Sequence, residues 1–216
     1  MLFILTGDIQ IGKTRWLQAL VGELERGGVP VAGTLAPGVW RENASRENGL
    51  EKVGIDNELL PGHELVRFAR RRDLLLAESG KDSLQRCGQS ETEQLGWAMD
   101  DRAIKQVDAH FAALEAQVAT DEATGSEAPV PVPGLLVADE LGRLELLRNL
   151  GLTHATSLLR RGPSARYPHA VLVVRDWLLP QAHERFDPSW PGAVEEIAPT
   201  YEAHERILAA CGVASA

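Results

Sequence analysis

Residues 7 to 14 read Gly-Asp-Ile-Gln-Ile-Gly-Lys-Thr, and this spacing of two glycines, a lysine and a hydroxyl side chain suits the binding of a polyphosphate with a divalent cation. Such a loop turns successive backbone N–H groups inward and forms a nest for anions. Gly12 lets a phosphate approach the backbone closely, Lys13 reaches the terminal phosphates, and the Thr14 hydroxyl is a ligand for magnesium. The pattern therefore predicts a phosphate-binding loop, or P-loop.

We expect the whole loop and the residue after it to contact a nucleotide. The alternative is an ordinary glycine turn between a strand and a helix with a surface lysine, but a turn alone has no use for the full pattern. The predicted nucleotide-binding set is Gly7, Asp8, Ile9, Gln10, Ile11, Gly12, Lys13, Thr14 and Arg15.

A second candidate for chemistry is the acidic pair Asp139 and Glu140, which follows the apolar residues 135–138. A P-loop protein holds magnesium with a carboxylate on a neighbouring strand, and open parallel sheets place such groups at the carboxyl ends of their strands. Asp139 is therefore the predicted metal ligand together with Thr14, and Glu140 is the predicted base that orients and polarises water. An exposed acidic pair without a function is the alternative, which the P-loop in the same chain disfavours.

The elements that must position these groups can be predicted from the periodicity of apolar residues. A strand at 2–6, a helix from 14 to about 25 and a strand at 29–35 make a βα(β) unit, which favours a parallel sheet. Further strands are predicted at 135–138 and 170–174, and helices at 100–118 and 201–211. Between them we expect one or two hairpins within 36–62, a helix at 68–78 and a polar loop at 79–93.

Length and composition indicate one domain of an α/β protein. A chain of 216 residues buries one substantial core. We expect a single P-loop NTPase domain over 1–216, with a variable insertion at about 36–98. A flexible loop is expected at about 119–134, where the sequence is acidic and then proline-rich.

Charge and cysteine content restrict the partners and the compartment. The net charge of -9 repels a nucleic-acid backbone, so nucleic-acid binding is disfavoured. The two cysteines are far apart, which fits a reducing compartment, and no apolar stretch reaches the roughly 20 residues that a membrane span needs. We therefore expect a cytoplasmic protein without a membrane association.

The two motifs and the segments between them resemble the small nucleoside-triphosphatase family that includes the cancer-related nucleoside-triphosphatase. Residues 31–37, Val-Ala-Gly-Thr-Leu-Ala-Pro, match a segment at the end of the family's second strand, and residues 53–56 match a hairpin that ends in Asp. Residues 139–146, Asp-Glu-Leu-Gly-Arg-Leu-Glu-Leu, carry most of the resemblance because the family's second acidic motif resembles Asp-Glu-Ile-Gly-x-Met-Glu-Leu.

The resemblance implies a RecA-like α/β core with a mostly parallel sheet, helices on both faces and a small β-hairpin insertion. It also implies magnesium and the hydrolysis of ATP, GTP and other triphosphates with little base preference. Glu145 matches a later family acid to which we assign no mechanism. Gln10 stands where the family has a glycine and Arg15 where it has a hydroxyl residue, so nucleotide preference and turnover are expected to differ from those of relatives.

Arginines are the remaining candidates for contact with phosphate. Arg175 directly follows a predicted core strand and is a candidate catalytic group, with a purely structural role as the alternative. Arg67 and the three arginines at 70–72 suit a solvated helix face, or alternatively an arginine lid over the terminal phosphate. Trp40 and Trp97 are candidates for stacking on a nucleobase.

The predicted function is a magnesium-dependent nucleoside-triphosphate phosphohydrolase, slow and of broad base specificity, whose catalytic groups are Lys13, Glu140 and Arg175. One alternative is a nucleotide-dependent switch or accessory protein that acts on an unidentified protein partner. Another is a small-molecule or nucleotide kinase in which residues 36–98 form the acceptor pocket. The adjacent acids suit the activation of water at least as well, so the kinase ranks below the hydrolase.

Overall fold

The computed structural model of the chain describes residues 1–9, 11–45, 49–79, 88–89, 96–124 and 132–213, and it leaves out the side chains of 76–79. The strands are β1 (Leu2–Leu5), β2 (Val31–Leu35), β3 (Gly38–Glu42), β4 (Leu50–Leu60), β5 (Glu64–Arg71), β6 (Trp97–Met99), β7 (Leu135–Ala138), β8 (His169–Val173) and β9 (Val194–Ile197). The helices are α1 (Lys13–Arg26), α2 (Arg72–Ser79), α3 (Asp101–Thr124), α4 (Arg143–Arg148), α5 (Thr153–Arg160), α6 (Leu179–Phe186) and α7 (Tyr201–Ala210), with 3-10 turns at Asp176–Leu178 and Asp187–Ser189.

All described strands join one sheet in the order β6-β5-β4-β2-β7-β8-β1-β9, with β3 paired to β4. The parallel half consists of β2, β7, β8, β1 and β9, whose mutual pairings are all parallel. The antiparallel half consists of β3 to β6, and it joins the parallel half where β4 pairs with β2. A mostly parallel core with an antiparallel hairpin region confirms the predicted α/β class.

Helices cover both faces of the parallel half, as predicted. On one face, α1 and α7 contribute Leu17, Leu20 and Ile207 to a core that includes Phe3 of β1. On the other face, α3, α5 and α6 pack residues such as Phe111 against the sheet. Strands buried on both faces need near-continuous apolar sequences, which β1, β7 and β8 have, and this is why their positions are predictable.

The position of β8 corrects one expectation. Asp139 was expected on the strand next to the P-loop strand, but β8 pairs with β1 on one side and β7 on the other, so it separates the two. Ala170, Val171 and Leu172 of β8 are fully buried, which suits the centre of the sheet. The side chains after β1 and β7 therefore face each other across the end of β8.

The antiparallel half confirms the predicted hairpins, which are β3–β4 and β4–β5. The helix predicted at 68–78 is wrong at its start, because residues up to Arg71 continue β5 and α2 begins at Arg72. The strand persists because Ala69, Arg70 and Arg71 pair with the short edge strand β6. Most of the polar loop predicted at 79–93 lies outside the described residues.

The third helix is longer than the apolar periodicity predicts. The flexible loop was expected from residue 119, but α3 continues to Thr124. Its last turns are held by Arg166, which donates to Asp121 at 2.6 Å, and by the ion pair of Arg161 with Glu122. Residues 125–131 of the predicted loop lie outside the described part of the chain. None of the helices described is both long enough and apolar enough to cross a lipid bilayer.

Candidate functional site

The loop between β1 and α1 depends on two glycines. Gly7 has φ of 124° and Gly12 has φ of 97°, both in the region that other L-residues enter only with strain. A Cβ atom on Gly7 would lie 2.7 Å from Cδ1 of Ile11, so the exposed Ile11 side chain would also have to move. Gly12 caps α1 without a side-chain hydrogen bond, and the first N–H groups of the helix therefore face the loop.

Lys13 lies across this loop. Its ammonium Nζ donates to the carbonyl of Gly7 at 2.6 Å and to the carbonyl of Asp8 at 2.8 Å. These contacts position the Lys13 charge over the loop. The positive, N-terminal end of the α1 dipole also faces this loop. Both features attract an anion to the same place.

Asp176 fixes the other end of the loop, and the sequence analysis did not identify it. Its Oδ1 accepts hydrogen bonds from the Gly7 N–H at 2.7 Å and from the Thr6 hydroxyl. These two donors, the hydroxyl first, lower the pKa of the Asp176 carboxyl. The contact forms because β1 and β8 are parallel neighbours, so the residues just beyond them meet at one edge. An acid after a core strand was the only sequence signal.

Thr14 and Asp139 come together at the centre of the site. Asp139 is 4% exposed, and its Oδ2 accepts a hydrogen bond from the Ala36 N–H at 2.8 Å. Burial raises the pKa of Asp139 to about 6, while the Ala36 N–H and the facing Thr14 hydroxyl act in the opposite direction. A buried carboxylate next to a hydroxyl is a set of oxygen ligands of the kind that magnesium prefers.

Glu140 has an unusual backbone conformation. Its φ is 69°, which lies in the left-handed region that non-glycine residues seldom occupy, and this conformation costs about 1 kcal/mol. The turn separates the directions of the two acids, so that Asp139 is buried and Glu140 is partly exposed. Arg175 donates from Nη2 to Oε1 of Glu140 at 2.8 Å, and it therefore orients the carboxylate.

Glu145 supports the turn that carries Glu140. Its carboxylate accepts from the Gly142 N–H at 2.8 Å and from the Leu152 N–H at 3.1 Å, and burial raises its pKa. Arg185 donates to the backbone carbonyl of Glu145 at 2.7 Å. Glu145 thus links the turn after β7 to the start of α5. This link gives a structural role to an acid for which the sequence indicated none.

A cavity of about 610 Å³, which we call the P-loop cavity, brings most of the predicted residues together. Its other walls come from the antiparallel half, including Trp40, Lys52 and Trp97. The predicted site residues that line it are Ile9, Ile11, Gly12, Lys13, Thr14, Arg15, Asp139, Glu140 and Arg175. Gly7 and Asp8 belong to the same loop through their contacts with Lys13, and Gln10 lies outside the described residues.

None of the arginines considered for a lid, which are Arg67 and the three at 70–72, lines the P-loop cavity of the described structure. Arg70 pairs with Asp56 at 2.7 Å, and Arg71 pairs with Glu51 and Asp73. Neither Arg70 nor Arg71 lines the P-loop cavity. The two residues stabilise the antiparallel half, although they lie at the end of a strand and not on the predicted helix.

A strand, a glycine loop, a helix and a buried acid at the end of another parallel strand define this fold as an α/β P-loop NTPase. The structure of THEP1 from the hyperthermophile Aquifex aeolicus is similar, with a TM-score of 0.58 and 15% sequence identity over 98% of this chain and 99% of that chain. No protein-family model and no curated protein matches the sequence. The likeness therefore supports the fold.

Proposed function

We propose that this protein is a magnesium-dependent nucleoside triphosphatase that converts NTP and water to NDP and phosphate. The observation that carries the proposal is the joint placement of Lys13, Thr14, Asp139 and Glu140 around the P-loop cavity. The P-loop with Lys13 provides an anion nest and a positive charge. Thr14 and Asp139 provide a pair of oxygen ligands, and Glu140 provides a carboxylate base in the same cavity. Few structural roles would require that combination.

Magnesium fits the residues present. Thr14 and Asp139 would hold it, and a bound cation would offset the burial that raises the pKa of Asp139. When bound with the triphosphate, magnesium neutralises charge on the phosphate oxygens. Magnesium usually keeps several waters and needs only one or two protein carboxylates, so a site of one hydroxyl and one carboxylate is sufficient.

The protein groups divide the remaining work. The loop N–H groups and Lys13 bind the phosphate tail and stabilise the charge that develops when the terminal phosphoryl group leaves. Glu140 accepts a proton from water at a carboxylate oxygen, so that the hydroxide oxygen attacks the terminal phosphorus and NDP departs. Arg175 holds Glu140 in one orientation through its hydrogen bond to Oε1.

Broad base specificity is part of the proposal. The wall of the P-loop cavity opposite the loop includes Trp40 and Trp97, and the Lys52 ammonium lies 5.7 Å from the centre of the Trp97 ring. Aromatic faces stack on any nucleobase and discriminate weakly among them. Binding energy would therefore come mostly from the phosphate tail.

The substitution Lys13→Ala tests the assigned loop. We expect nucleotide affinity measured by calorimetry with magnesium to fall at least about 100-fold, because a charge-assisted contact to the phosphates is lost. Lys105→Ala, on the exposed side of α3, is the matched control and should bind as the wild type does. Retained affinity in Lys13→Ala would refute the loop assignment.

The substitution Glu140→Gln tests the chemistry separately from binding. Phosphate release should fall by about 10²–10⁴-fold, the usual contribution of a general base, while nucleotide affinity stays near that of the wild type. A panel of ATP, GTP, CTP and UTP measures base preference in the same assay. Unchanged phosphate release would remove Glu140 as the base.

A further inference from the structure

A second cavity, which we call the apolar cavity, adjoins the P-loop cavity on the other side of Glu140. Its volume is about 260 Å³, and it lies between β4, β5 and β6 on one side and the turns after β7 and β8 on the other. Ile55, Trp97, Asp139, Glu140 and Arg175 line both cavities. The rest of its wall is largely apolar and includes Phe68, Ala69, Met99, Leu152 and Trp177.

The polar side chains that line the apolar cavity include three carboxylates, two arginines and Asn57. Arg175 occupies one oxygen of Glu140, whose second oxygen remains able to accept a hydrogen bond. Asn57, only 3% exposed, also lines the cavity, and its side-chain amide can both donate and accept a hydrogen bond there.

Trp177 lies at the opening of the apolar cavity. It is 53% exposed although it is a large aromatic side chain on a short 3-10 turn. An exposed tryptophan that lines a cavity offers a rigid face for an apolar ligand, and such side chains often dominate binding energy. Trp177 immediately follows the loop-fixing Asp176, so a ligand at this face would lie close to the P-loop.

We propose that the apolar cavity binds a small, flat, mostly apolar molecule with one hydrogen-bond donor, and that this molecule slows nucleotide hydrolysis by donating to Glu140. An apolar cavity of about 150 Å³ accommodates benzene, so the larger volume here suits a bicyclic ring. The donor satisfies the second oxygen of Glu140 and competes with the water from which Glu140 takes a proton. The slowing rests on the proposed hydrolase function, whereas the binding does not.

The probe for binding is 5-fluoroindole, a bicyclic ring with one N–H donor, titrated into the full-length protein without nucleotide and observed by ¹⁹F NMR. Trp177→Ala should weaken its affinity at least about tenfold because the ring loses a stacking face. Trp40→Ala removes a tryptophan that lines only the P-loop cavity and should leave the affinity unchanged. Ala69→Leu, which fills the cavity, should abolish binding.

The donor requirement is tested with 5-fluorobenzothiophene, which has the same shape without an N–H. It should bind several times more weakly than 5-fluoroindole, and equal affinity would overturn the donor part of the proposal. Equal binding of 5-fluoroindole to the wild type, Trp177→Ala and Ala69→Leu, or no binding to the wild type, would overturn the site itself.

The effect on hydrolysis is measured as phosphate release with and without saturating 5-fluoroindole. We expect a decrease of at least about fivefold in the wild type and little change in Trp177→Ala at the same probe concentration. Binding without a decrease would overturn the coupling to Glu140. If the protein binds the probe but releases no phosphate under any condition, the proposed function fails and the binding site stands.

Discussion

The two halves of the sheet contribute to the site in different ways. In the parallel half, the P-loop, Asp139, Arg175 and Asp176 all follow the ends of strands whose positions are fixed by backbone register. The antiparallel half provides walls, and side-chain ion pairs such as those of Glu51 link its strands in addition to the backbone pairing. The candidate catalytic groups are thus placed by backbone register, whereas the surrounding walls carry ion pairs between side chains as well.

The halves also respond to pH in opposite directions. Burial raises the pKa of Asp139 to about 6, so the buried charge destabilises the nucleotide-free protein as the pH rises from about 4 to 6. Hydrogen bonds from Asn43 and Arg41 lower the pKa of Glu51 to about 2. The stability that Glu51 contributes is therefore complete above its ordinary pKa near 4.5 and is lost as the pH falls toward 2.

Asp139→Asn should have the largest effect in this comparison. We expect magnesium-dependent nucleotide affinity to fall about 100-fold, because one of the two proposed metal ligands loses its charge. The nucleotide-free variant should nevertheless be more stable than the wild type at pH 8, by about 2 kcal/mol, since the buried charge is gone. Calorimetry measures the first effect and thermal unfolding at pH 5 and pH 8 the second. If Asp139→Asn unfolded at a lower temperature than the wild type at pH 8, the buried Asp139 charge would not destabilise the nucleotide-free protein.

Glu145→Ala should be the next largest effect, and it acts on stability in the parallel half. The change leaves the N–H groups of Gly142 and Leu152 without their acceptor, which costs about 1–3 kcal/mol. Glu145→Gln retains one acceptor oxygen and should lose less. Urea unfolding measures the difference. If the two variants were equally stable, the carboxylate would not hold the turn that carries Glu140.

Asp176→Ala should reduce nucleotide affinity by about fivefold, because the Gly7 N–H and the Thr6 hydroxyl lose the acceptor that fixes the loop. Asp187→Ala is a matched control on the next 3-10 turn, where the carboxylate bonds His183 and not the P-loop. Calorimetry with ATP and magnesium compares the two variants. An equal decrease in both would indicate a general loss of structure.

Glu51→Ala should have the smallest effect on function and serves as the test of the antiparallel half. The unfolding temperature should fall by about 2–4 °C at pH 7, since Arg41, Asn43 and Arg71 lose a shared partner. The decrease should shrink as the pH falls toward 2, because the wild-type carboxylate becomes protonated over that range. Nucleotide affinity should be unchanged, and a large loss of affinity would show that the walls also place charged groups.

Local patterns predicted much of the fold and the core of the site. The apolar runs of β1, β7 and β8 and the spacing of residues 7–14 determine structure over short distances, so they can be read from sequence. The helices α4 to α6 and the edge strand β9 were missed because each has eight residues or fewer, too few for a periodic pattern to repeat often. The helix predicted at 68–78 failed where pairing with β6 extended the strand to Arg71.

Contacts between distant residues account for what the sequence did not predict. Asp176 bonds Gly7, and Glu140 bonds Arg175, only because strand order brings their turns to one edge. The role of Glu145 depends on the Leu152 N–H, which becomes its donor when the turn between α4 and α5 folds back toward α4. The apolar cavity requires both halves of the sheet at once, and no single segment encodes it.

Because β8 lies between β1 and β7, it sets the distance between the ends of these two strands at the candidate site. Neighbouring strands lie roughly 4.8 Å apart, so one intervening strand separates the ends of β1 and β7 by roughly twice that distance. At half this width, Lys13 and Asp139 could neutralise each other in a direct ion pair. With β8 as a spacer, the ammonium and the carboxylate are kept apart, as the proposed binding of a phosphate group and its cation requires.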